Sequence, residues 1–273
     1  MGRLGRSLEL AEQSFRVLMQ DKALMILPIL SGIVTALVVA TFFVGTFGFG
    51  LSGVQQPPQP ILFLPMFVMY VVTYFVGIFF HAAVIAGATE RLRGGNPTLG
   101  SAISAAADHA GQILGWAVIA ATVGTLLQLI RGRGRLVERL VAGVLGAAWS
   151  LATFFVVPVL VLEDVPVSAL FGRSLTLMED AWGEGVIGTV GVGVVAFVCW
   201  LLLGGIVASV AVSLHQIVAA IVIGAAGGVT LLAAFSALHG IYVAALYHYA
   251  TTGSAAPGFD SETLQGAFRR RNA

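Results

Sequence analysis

Charged residues along the chain fall in clusters, and long neutral stretches run between them. No Asp, Glu, Lys or Arg lies between Lys22 and Glu90 or between Glu184 and Asp260. Shorter neutral stretches separate Asp108 from Arg131 and Arg139 from Glu163. About 20 mainly apolar residues carry a helix across roughly 30 Å of hydrocarbon. The first stretch therefore has room for two crossings, divided by Gln55-Gln56-Pro57-Pro58-Gln59-Pro60. The pattern predicts spans at about 24–50, 62–88, 111–130, 140–162, 186–209 and 226–250. A polar break at Ser209, Ser213, His215 and Gln216 leaves residues 207–225 as a re-entrant turn, an interfacial segment or an extra span.

Shorter segments with a different pattern precede these spans. Leu4, Leu8, Ala11, Phe15 and Leu18 recur at helical spacing, with Arg6, Glu9, Gln13, Arg16 and Gln20 largely elsewhere. Such a helix is too polar to cross a bilayer and suits the headgroup boundary. Before the fifth span, Val167, Leu170, Phe171, Met178 and Trp182 form a second apolar stripe, and Leu99, Ala102, Ile103 and Ala106 form a weaker one before the third. Gly5-Arg6-Ser7-Leu8-Glu9-Leu10-Ala11-Glu12 matches Gly172-Arg173-Ser174-Leu175-Thr176-Leu177-Met178-Glu179 at six of eight positions. Prolines follow the even spans at Pro97, Pro166 and Pro257. The expected fold is all-α: a polytopic transmembrane helical bundle, six spans arranged as three hairpins, each preceded by an amphipathic interfacial helix. It forms a single membrane domain over 1–273, with approximate repeats at 1–89, 90–164 and 165–253 and a C-terminal tail at 254–273. Asp260, Ser261, Leu264 and Phe268 suggest a short surface helix in that tail.

Composition excludes the soluble alternative. Apolar residues make up 58% of 273 and charged residues 10%, against about 25% charged in soluble domains. The net charge of +1 gives no basic footprint for nucleic acid. One cysteine excludes an internal disulfide. Glu9, Glu12 and Asp21 precede the first apolar run, which is far longer than a signal-peptide core, so a cleaved leader is not expected. With six spans, ten Lys and Arg fall on the side of the termini and four, at Arg131, Arg133, Arg135 and Arg139, on the other. Excess positive charge stays in the cytoplasm. The expectation is a multi-pass protein of the cell (inner or plasma) membrane with both termini cytoplasmic, against which the Arg131 to Arg139 loop stands.

Several runs carry a resemblance. They are Phe80-His81-Ala82-Ala83, Glu90-Arg91-Leu92-Arg93-Gly94, Pro97-Thr98-Leu99, Ile113-Leu114-Gly115-Trp116 and Leu246-Tyr247-His248-Tyr249-Ala250-Thr251-Thr252-Gly253. The most specific is Ala148-Trp149-Ser150-Leu151-Ala152-Thr153-Phe154-Phe155-Val156-Val157-Pro158. Over nearly its whole length the chain resembles a family of prokaryotic membrane proteins classed only as a domain of unknown function. The resemblance implies six spans in the cell membrane and supplies no activity, substrate or catalytic residue.

Candidate chemistry is sparse. His239 falls near the middle of the last span with Tyr242 one turn away, and an ionisable group at that depth marks a functional candidate. The plainer reading is a neutral histidine bonded to a neighbouring helix. His81 falls nearer the charged end of its span and reads as a packing or snorkelling residue; His248, between Tyr247 and Tyr249, reads as part of an aromatic belt. Trp149, Ser150 and Thr153 bring polar groups into the fourth span, where Ser and Thr can bond carbonyls at i−4. Pro158 removes a backbone hydrogen bond there and predicts a kink. Ala220, Gly224 and Gly228, and Gly111 with Gly115, form small-residue faces for close helix approach, within the bundle or to a partner. Gly188, Gly191 and Gly193 lack the preceding strand that a nucleotide loop needs.

Neither His-Glu-x-x-His nor Gly-x-Ser-x-Gly occurs, and no span holds a carboxylate pair. The expected role is non-enzymatic, with no cofactor or metal, engaging membrane lipids, a homo-oligomeric copy or another membrane protein through the interfacial helices. The alternative is a small-solute transporter or channel using His239, Tyr242, His81 and the polar face of the fourth span. An enzyme at the headgroup level is a third reading.

Overall fold

The computed structural model describes residues 12–19, 21, 23–45, 59–132, 136–180, 185–213 and 217–259, and all its elements are helices. They are α1 (12–19), α2 (Ala23–Phe43), α3 (Gln59–Leu92), α4 (Leu99–Asp108), α5 (Ala110–Arg131), α6 (Leu136–Ala152), α7 (Val156–Leu162), α8 (Val167–Asp180), α9 (Gly185–Ser213) and α10 (Ile217–Thr252). Among the described residues, five stretches are long and apolar enough to cross a membrane: Ala23–Phe43, Phe63–Leu92, Ala110–Arg131, Val137–Leu162 and Ile217–Thr252. In α9, Ala196–Val212 is a shorter apolar helix of the same character. Residues 207–213 complete α9 and 217–225 begin α10, so the described part of the suspected re-entrant segment is ordinary helix. The dividing Gln-Pro run up to Pro58, Arg133, Arg135, Trp182, His215, Gln216 and the tail from Asp260 lie outside the described residues.

Burial is concentrated at one end of the bundle. Leu24 and Leu27 at the start of α2, Ile85 and Leu92 late in α3, Ile113 early in α5, Val156, Val159, Leu160 and Val161 of α7, and Ile241 and Leu246 late in α10 share one core. The opposite half exposes large apolar side chains on every long helix. Leu37, Leu64, Leu129, Val144, Leu202 and Val218 are all more than half exposed. For a chain whose solvent is hydrocarbon, such exposure costs little.

The three short helices gather at the packed end. Ala102 and Ala106 of α4 and Leu170, Leu177 and Met178 of α8 enter the shared core, as do Val17 and Leu18 of α1. Helix α4 starts cleanly because Thr98 and Ser101 cap one another, each side-chain oxygen accepting from the other's amide. Of the expected apolar stripe, Leu4, Leu8 and Ala11 lie outside the described residues, and Phe15 and Leu18 lie on α1. Gln13, Ser14, Val17 and Leu18 are buried, while Phe15 is 48% exposed. Lipid is itself an apolar partner, so a bilayer does not force a phenylalanine inward as water does.

Small residues bring the long helices together. A Cβ on Gly224 or Gly228 would lie 3.3 Å from Val207 or Trp200 of α9, so that stripe serves the chain's own bundle. Gly115 meets Val167 of α8 in the same way, at 3.2 Å, whereas Gly111 faces open space. The backbone through Gly188, Gly191 and Gly193 is helical, which leaves no phosphate loop there.

Candidate functional site

Helices α3 and α10 approach closely at Gly240, where an added Cβ would fall 2.5 Å from Val84 Cγ1. That approach brings His81 and His239 together, although the sequence separates them by half the chain. Their rings stack with centroids 5.7 Å apart and planes within 17°. Phe154 meets His239 edge-on, with centroids 6.3 Å apart. Tyr242, one turn beyond His239, is buried in the core. Both imidazoles are half-buried, and no carboxylate joins them; among the described residues, no three His, Cys, Asp or Glu side chains are grouped to hold a metal. The expected packing role for His81 thus acquires a particular partner.

Phe154 belongs to the break in the fourth apolar segment. Pro158 cannot donate to Phe154 O, and its ring crowds that carbonyl, so the helix ends at Ala152 and restarts at Val156. The distortion anticipated from Pro158 takes the form of a helix break one turn earlier, at 153–155. As expected, Ser150 and Thr153 donate to carbonyls four residues back, Gly146 O at 2.9 Å and Trp149 O at 2.8 Å. Trp149 is stacked between Trp116 of α5 (5.8 Å) and Phe171 of α8 (5.9 Å).

Two further contacts, which pattern reading missed, tie α8 to this break. Fully buried Ser174 donates its hydroxyl to Ala152 O (2.8 Å) and accepts from the Phe155 amide (3.1 Å). Next to it, Arg173 grips Glu163 with Nε and Nη2 at 2.9–3.1 Å. Tyr247 of α10 donates its hydroxyl to the same carboxylate at 2.8 Å. Burial alone would raise the Glu163 carboxyl. Hydrogen bonds from Arg173 and Tyr247, with the Arg173 charge, outweigh that and hold it below its ordinary range. The available signal was the Gly-Arg-Ser-Leu match between the two amphipathic segments, which put Arg173 and Ser174 in a repeated motif.

Two apolar clefts open in the loosely packed half. One, of about 520 Å³, lies between α2 and α10 and is lined by Pro28, Gly32, Val229 and Ser236 among others. The other, of about 390 Å³, lies between α2 and α3 around Leu37, Phe42 and Val72.

The long apolar helices among the described residues mark a helical protein of the membrane type. Residues 60–259 match the model of a family described as of unknown function, DUF6159, and the chain belongs to that family. No curated protein and no solved structure matches it.

Proposed function

We propose that the chain is a non-enzymatic six-span protein of the cell membrane. In this reading its three hairpins are led by α1, α4 and α8, which lie at the cytoplasmic face and engage lipid headgroups or a partner protein. The supporting observation is that all three short helices insert into the core at the same end of the bundle. Glu90, Arg91, Arg93, Asp164 and Arg173 sit at that end too, on or beside the elements that form it. The spans beyond are nearly charge-free, as a hydrocarbon-crossing region requires. Single cysteines at Asp164 and Gly132, in a Cys199→Ser background, are expected to react with an impermeant reagent from opposite faces. Reaction from the same face refutes the arrangement. Deleting residues 2–20 is expected to reduce co-purifying lipid or partner while insertion persists; undiminished association refutes engagement through that segment.

The stacked His81 and His239 support a second reading, a path for a proton or small solute between α3 and α10. It predicts liposome flux that falls with His239→Ala and Tyr242→Phe. Flux unchanged in both variants removes it.

A further inference from the structure

The break at 153–155 has an uncommon hydrogen-bond economy. In an unbroken helix the Phe155 amide would donate to Leu151 O and the Val156 amide to Ala152 O. Here Phe154 N takes Leu151 O at 3.2 Å, and Val156 N takes Thr153 O at 3.1 Å. Two of the groups so displaced, Phe155 N and Ala152 O, are satisfied by the one hydroxyl of Ser174. An inserted side chain is a recognised cause of a sharp helix bend. Unpaired backbone groups in an apolar interior are costly, so removing the hydroxyl favours a rearrangement that re-pairs both. Straightening does this: each amide regains its carbonyl four residues back. Pro158 leaves Phe154 O without an amide partner in either form, so it does not discriminate between them.

We propose that α8 is a strap that sets the shape of the fourth span, broken while Ser174 is seated and one helix over 136–162 when α8 withdraws. Three contacts place the strap. Arg173 and Glu163 hold the residue beside Ser174 by a two-pronged ion pair. Tyr247 anchors the same carboxylate to α10. Phe171 covers Trp149 just upstream of the break. The two forms are alternative packings of a bistable element, which a ligand or surface biases by binding one better. Movement reaches the histidine pair because Phe154, inside the break, abuts His239. The strap depends only on contacts within the bundle, so it holds whichever face of the membrane α8 occupies.

Pulsed electron paramagnetic resonance on the full chain in lipid nanodiscs tests this. Spin labels go on Val144 and Asp164, both exposed and on either side of the break, with Cys199→Ser. Helix continuous from Val144 to Leu162 spans about 27 Å, and the extended step on to Asp164 is common to both forms. The strapped protein should show a shorter separation. Ser174→Ala is expected to move the main population to a longer separation, and Glu163→Gln to add the same longer population as a minor component. Distances unchanged in both variants overturn the strap. Should Ser174→Ala fail to assemble, Glu163→Gln decides alone: a longer component upholds the strap and its absence overturns it.

Discussion

Gly240 illustrates how a single missing side chain organises the candidate site. Its contact with Val84 sets the α3–α10 spacing that stacks His81 on His239. Gly240→Ala is expected to destabilise the protein by about 1–3 kcal/mol through overpacking, read as a lowered melting temperature in detergent. Val84→Ala in the same chain should restore much of the loss, because the clash is with the valine methyl. Glu163 offers a test by pH. Its folded value lies below the ordinary carboxylate range, so its stabilising contribution is complete above the unfolded value, about 4.3. That contribution is lost as pH falls through the depressed folded value. Melting temperature measured from neutral to acidic pH should therefore drop less steeply in Glu163→Gln than in the parent chain. Such residue-scale contacts were only half legible. His239 stood out by depth alone, but its partner depends on which helices meet, and that is a property of packing.

Among the elements, the helices themselves were readable because neutral stretches of the right length have few alternatives in a chain this apolar. The third span, expected at about 111–130, is Ala110–Arg131. The fourth shows where such reading stops. Pro158 announces a distortion, yet nothing local says that a serine sixteen residues further along will complete the backbone. Phe15 makes a related point: hydrophobic spacing identifies an apolar stripe without saying whether protein or lipid covers it, and on α1 Leu18 is buried while Phe15 is 48% exposed. Phe171→Ala should loosen α8 without touching its polar clasp. The expected outcome is a red shift of tryptophan emission as the Trp149 stack opens, with a modest fall in melting temperature, since aromatic pairs contribute about 0.5–1.5 kcal/mol beyond area burial.

At the scale of the whole molecule, packing is graded from one end to the other. The end that carries the short helices and most of the charge is close-packed, and the other end leaves clefts between α2 and its neighbours α3 and α10. Acyl chains are the natural filling for clefts with that lining. Adding phospholipid to detergent-purified protein should raise its melting temperature, and replacing Gly32 or Ala233 on the α2–α10 cleft by leucine should diminish the rise. The gradient has a mechanical corollary. Seated with its packed end in one leaflet and its loose end in the other, as the proposed arrangement has it, such a body would displace unequal areas from the two monolayers and act as a wedge. Flat vesicles and highly curved ones of the same composition would then be unequal hosts, with the chain enriched where bending matches its taper.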